Sequence, residues 1–224
     1  MKRIPLSQRQ LPTYTRGEEI FNMVSHIVGG ALSIAAVTLC VIMAAIHHNV
    51  YGIVGGTIYG FTLIVLYTMS SIYHGLSPRL FAKRVFQVID HCSIFLLIAG
   101  SYTPVALVNL REYSPWLGWT IFGVIWTMAA LGITLNAIDL ERYKKFSIIC
   151  YLGMGWCIIF TARLLPRLLG TSGLILLVAG GIAYTVGAVF YGLGRDHRYC
   201  HSVFHLFVLA GSILQFFCIL FYVM

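Results

Sequence analysis

Charge is scarce in this sequence. Only 10% of its 224 residues are Asp, Glu, Lys or Arg, and only seven are acidic. Soluble domains carry roughly a quarter of their residues charged, so an ordinary soluble fold is excluded. Beyond the first 23 residues no polar stretch is long enough to make a separate soluble domain. A cysteine framework is missing too. Cys40, Cys92, Cys150, Cys157, Cys200 and Cys218 show no paired spacing, and five of them fall inside or at the edge of apolar runs, which argues against disulfides. No low-complexity tract or internal repeat divides the chain. The first apolar run, near Val24, has no small-residue cleavage site after it and reads as a retained helix, not a signal peptide.

Apolar residues dominate what is there, at 59%. They fall into seven runs, at about 24–46, 51–73, 87–109, 116–136, 145–163, 171–193 and 202–223. Each is about 20 residues, enough for a helix rising 1.5 Å per residue to cross a hydrocarbon core of ~30 Å. The expected fold is all-α, an integral membrane bundle of seven transmembrane helices. Residues 1–23 form a cytoplasmic tail and 24–224 a single transmembrane domain. The formal charge of +8 follows from topology, not from nucleic-acid binding. The tail and the loops after the second, fourth and sixth runs hold twelve of the fifteen Lys and Arg. The exceptions are Arg111, Arg163 and Arg167. Because cations accumulate in cytoplasmic loops, the N-terminus is placed in the cytoplasm and the C-terminus outside. Gly52, Gly56 and Gly60 form overlapping GxxxG patterns, and they and the group Gly180, Gly181 and Gly187 predict close helix contacts. Pro104 predicts a kink in the third helix.

This topology brings scattered polar residues to one membrane depth. His201 and His205 begin the last helix, four apart and on one face. Ser70 and His74 close the second helix with the same spacing. Asp90 opens the third, and Glu18, Glu19, Asn22 and His26 open the first. Ionisable groups at that depth are costly and mark function by default. Three neutral imidazoles, His74, His201 and His205, make a zinc site with an open fourth position. Asp90 then serves as base and Ser70 orients or donates to the reacting group, as the catalytic pair. Glu18, Glu19, Asn22 and His26 lie around the ligands or close the site from the cytoplasm. Each residue alone has a simpler reading: HxxxH as helix packing, Asp90 as an N-terminal cap, Ser70 as a bond to its own backbone, Glu18 and Glu19 as helix-dipole charges. His91 points about 100° away from Asp90 and is left out of the ligand set.

The segments EEIFNMVSH (Glu18–His26), SSIYHG (Ser70–Gly75), DHCSIFLLIAGSYTP (Asp90–Pro104) and HSVFH (His201–His205) resemble the motifs of the haemolysin III proteins. These are the bacterial branch of the progestin and adipoQ receptor family, and the resemblance runs in order over the chain from Pro12. It implies seven helices and a zinc ion near the cytoplasmic side held by His74, His201 and His205. It also places the family's aspartate at Asp90 and its serine at Ser70. The superfamily's hydrolases imply amide or ester hydrolysis on a membrane lipid, in a multi-pass protein of the bacterial inner membrane linked to membrane homeostasis. Two alternatives stand beside it. One is a non-enzymatic regulator of membrane or lipid state with structural zinc. The other is a pore-forming cytolysin, although no amphipathic pore segment is visible.

Overall fold

The structure is a computed structural model that describes residues 5–194 and 197–224. Lys2, Arg3 and Arg195, three of the topology cations, lie outside the described residues. Among the described residues there is no strand; helices account for the chain.

The first helix, α1 (Arg16–Ile46), begins well before the apolar run at Val24. Thr15 fixes that start. Its hydroxyl accepts from the Glu18 backbone N–H at 3.3 Å, and its own N–H donates to Glu18 Oε2 at 2.8 Å, a complete capping box. Helix α2 (Val50–Gly75) is capped by Asn49, whose Oδ1 accepts from Gly52 N–H at 2.8 Å. Helix α3 (Phe81–Val105) contains Pro104 and runs into a π-helical turn, Ala106–Leu110, and a single turn, α4 (Arg111–Tyr113). The irregularity expected at Pro104 thus appears just beyond it as a widened turn. Proline supplies no N–H to the ladder, and the π turn re-pairs the backbone around it.

The longest helix, α5 (Pro115–Gly155), is broken at Asp139, where φ is −158° and ψ is 94°. The chain folds back there. Ser147 Oγ donates to Asn136 Oδ1 at 2.6 Å, and Asn136 Nδ2 donates to Tyr151 Oη at 3.3 Å. In a straight helix positions 136 and 147 would stand about 16 Å apart. The two limbs correspond to the fourth and fifth apolar runs. A 3-10 turn, Cys157–Thr161, follows, and then α6 (Leu165–Leu193) and α7 (Cys200–Tyr222). Gly170 interrupts α6 with φ +64°, a conformation that favours glycine, and the helix resumes where the sixth apolar run starts. Counting α5 once, six helices among the described residues are long and apolar enough to cross a membrane.

Helices α1, α2, α3 and α5 pack in succession, α6 packs on α7 and hardly touches α5, and α7 returns to α1. Gly52, Gly56 and Gly60 of α2 face Ala44, Cys40 and Val37 of α1, while Gly180 and Gly187 of α6 face Gln215 and Phe207 of α7. In lipid there is no hydrophobic drive between helices, so this backbone approach is what dispersion needs. The outside is apolar, with Ile34, Phe61 and Phe160 largely exposed. One end of the bundle carries His47, whose Nδ1 lies 3.0 Å from Met224 O. At the other end the polar side chains gather.

Candidate metal centre

His201 and His205 sit in the first turns of α7, buried, with their Nε2 atoms 3.1 Å apart. His74 comes from the last turn of α2. One ring nitrogen from each of the three lies within 4.8 Å of the others. His74 is oriented from outside the trio. Its Nδ1 is 2.6 Å from Glu19 Oε2, and the Glu19 carboxylate takes Lys83 Nζ at 2.7 Å on its other oxygen. Lys83 Nζ also donates to Tyr73 O and Leu76 O, both at 3.0 Å. Its side chain is only 1% exposed, so this cation from the start of α3 is an internal strut and not a surface topology charge.

Three buried imidazoles with no anion among them fit a cation. A carboxylate lies on His74 Nδ1, and the opposite ring atom, Nε2, is buried without a protein partner and so available to a metal. A tetrahedral zinc with bonds of about 2.0–2.1 Å separates its nitrogen ligands by about 3.3 Å, close to the His201–His205 spacing. The His74, His201 and His205 group could therefore hold a metal ion.

The other expected residues divide by position. Asp90 and Ser70 line, with His205 and His26, a partly open cavity of about 340 Å³. The rest of its wall is mainly apolar, from Leu66 and Leu97 to Leu165, Leu174 and Leu177, with Gln215 further along α7. His74 and His201 are not part of that wall. Asp90 does not cap α3, which starts at Phe81; it lies in the helix interior, and its Oδ2 is 3.8 Å from His91 Nδ1. His91 is committed elsewhere, with Nδ1 2.8 Å from Gln87 O and Nε2 3.1 Å from Tyr191 Oη. Among the described residues, Glu19 is the acid that touches one of the three histidines. Glu18 instead completes the cap of α1 and accepts the Tyr199 N–H at 2.7 Å, which holds the turn into α7. Asn22 and His26 continue the stripe of Glu18 along α1. The His26 ring lies 3.9 Å from that of His205, and the side-chain polar atoms of Asn22 and His26 have no protein partner.

Sequence reasoning missed Tyr14. Its ring stacks on His201 at 4.8 Å with an 18° interplanar angle and also lies 5.8 Å from His74. Burial pushes its phenol well above the usual tyrosine range, so it presents a neutral face to the cluster. Its only signal was adjacency to the cap at Thr15. Arg9 was missed as well: it donates to Ile138 O at 3.1 Å and pairs with Asp139 at 3.9 Å, pinning the N-terminal segment to the fold-back of α5.

Comparison with known proteins fits this arrangement. A family model described as haemolysin-III related matches residues 14–216, which includes every residue of the cluster. Hemolysin-3 of Bacillus cereus is 42% identical over 208 residues, 92% of each chain. The Hemolysin-3 homolog of Bacillus subtilis (strain 168) is 37% identical over 209 residues, 93% of this chain and 96% of that one. The human monocyte to macrophage differentiation factor is 28% identical over 97% of this chain and 88% of its own. With spanning helices, a four-segment polar cluster and a match over nearly its whole length, the chain is a multi-pass membrane protein that belongs to the haemolysin-III-related family.

Proposed function

We propose that this protein is a zinc-dependent hydrolase of a lipid amide or ester, acting from the cytoplasmic leaflet of the bacterial inner membrane. In this reading the fold-back of α5 makes two crossings, seven in all, with the N-terminus in the cytoplasm. The observation that carries the proposal is that His205 belongs both to the metal set and to the wall of the apolar cavity, beside Asp90 and Ser70. His74, His201 and His205 would hold zinc. Bound there, zinc supplies a Lewis acid and brings the pKa of a coordinated water to about 7. The mainly apolar cavity takes an acyl chain. Asp90 accepts the proton of the attacking water, and the Ser70 hydroxyl donates to the carbonyl oxygen of the bond being cut. Glu19 orients the His74 ring through Nδ1, and Lys83 holds the Glu19 carboxylate in place.

The test is metal analysis with lipid mass spectrometry on the purified protein. His205→Ala loses zinc. Asp90→Asn retains zinc, and its lipid substrate accumulates relative to wild type. Wild-type protein without stoichiometric zinc ends the proposal. A second reading, a membrane regulator with structural zinc, is favoured by the position of His74 and His201 off the cavity wall. There the metal ties α2 to α7, and Asp90→Asn leaves the cellular effect intact. The name of the Bacillus relatives raises a third reading, cytolysis. Liposome leakage that survives loss of all three histidines would favour it.

A further inference from the structure

We infer that the seam between α1 and α7 holds a file of ordered water, running from the turn at Tyr199 to the histidine cluster. Six buried side-chain atoms on this seam lack a protein partner: Asn22 Oδ1 and Nδ2, His26 Nδ1 and Nε2, Ser202 Oγ and His205 Nδ1. The four residues are between 0% and 3% exposed. Buried polar atoms in native folds are bonded to protein or to water, and where one seam concentrates the orphans, water is the missing partner.

The register of the two helices makes this a file. Glu18 meets Tyr199 at the entrance and His26 meets His205 at the inner end. Asn22 lies between Glu18 and His26 on α1, and Ser202 between Tyr199 and His205 at the start of α7. From position 18 to 26 the rise along α1 is about 12 Å, the length of about four waters at hydrogen-bond spacing. Several helical hydroxyls in the chain bond back to their own backbone, as Ser33 does to Gly29 O at 2.7 Å and Thr57 to Ile53 O at 2.7 Å. Ser202 does not, so its hydroxyl is left to the seam. The orphans include an amide N–H₂ and an amide oxygen. An ion satisfies only one of these types, whereas water donates and accepts.

The metal ligands point the same way. A metal-bound imidazole carries its proton on the other nitrogen, and that N–H needs an acceptor. His74 has Glu19. His205 Nδ1 has no protein acceptor if Nε2, which faces His201, is the ligand atom, and a seam water supplies one. The cluster then touches an apolar cavity on one side and a wet seam on the other. The seam would deliver the water that hydrolysis consumes, but it rests on the orphaned atoms alone and stands whether or not the site cuts a bond.

Hydroxyl-radical footprinting by X-ray radiolysis tests this on the full chain in lipid nanodiscs, in ¹⁸O-labelled water and with zinc alone added. Such radicals form at bound water and mark the side chains next to it. The expected result is oxidation of His26 and His205 at least tenfold faster than of the equally buried Phe95, with ¹⁸O incorporated. Asn22→Leu combined with Ser202→Val is expected to cut His26 labelling at least fivefold. Wild-type His26 labelled no faster than Phe95 overturns the inference, even if the double variant fails to fold. So does unchanged His26 labelling in a folded double variant. Labelled histidines in a protein that turns over no lipid would sink the hydrolase and leave the seam.

Discussion

Glu19→Gln probes the contact that orients the metal site. Gln keeps the size of Glu19 and an oxygen for the His74 Nδ1–H, now 2.6 Å away, but removes the charge shared with Lys83. Two effects follow and separate. Loss of a carboxylate behind a ligating histidine weakens metal binding by about 10–100-fold, or about 1.4–2.7 kcal/mol. Leaving a buried cation without its anion costs about 3–5 kcal/mol of stability. The lower end applies here, because Lys83 Nζ keeps Tyr73 O and Leu76 O as acceptors. Adding Lys83→Met removes the stranded charge. The double variant is therefore expected to recover metal-free stability to within about 1 kcal/mol of wild type while its zinc affinity stays weak. Zinc competition against a chromophoric chelator reads the first effect, and denaturant unfolding in detergent without metal reads the second. Wild-type zinc affinity in Glu19→Gln, or a double variant as unstable as the single one, refutes the reasoning.

Two further outcomes concern the surroundings of the site. Tyr14→Ala removes the ring stacked on His201, worth about 0.5–1.5 kcal/mol, and is expected to weaken zinc binding by about 2–12-fold with unchanged helical content by circular dichroism. Tyr14→Phe is expected to bind as wild type, since the phenol is neutral. Gly132→Leu drives a side chain into Phe95, and that overpacking between α5 and α3 is expected to cost about 1–3 kcal/mol in thermal unfolding.

The helices and the three histidines were legible because both rest on short-range regularities. Twenty-residue apolar runs mark the spans, and a spacing of four puts His201 and His205 on one face. The charge count then set His74 and Asp90 at the same level. What stayed hidden depends on pairing between distant segments. Lys83 looks like a loop cation in the sequence, and only the fold shows it buried against Glu19. Glu18 and Glu19 are indistinguishable as letters, yet one holds a ligand and the other a turn, because adjacent helical positions face about 100° apart. Tyr14 and Arg9 sit in a polar segment with no periodicity. The fold-back of α5 was visible as two apolar runs, but nothing in them located the break at Asp139 or the Asn136 bonds that close it.

The division of the metal site between chain ends has a consequence for biogenesis. His74, Glu19 and Lys83 all belong to the first three helices, so this half is complete once less than half of the chain has been made. It then waits, its lone pair directed inward, through the synthesis of more than a hundred residues. His201 and His205 arrive with the last helix. A metal held by all three histidines would therefore be captured only at the end of assembly, and a chain truncated before α7 would lack two of the three. Metal content would then report on completion, since a metal-loaded pool would be one in which the last helix has been inserted and docked beside the first.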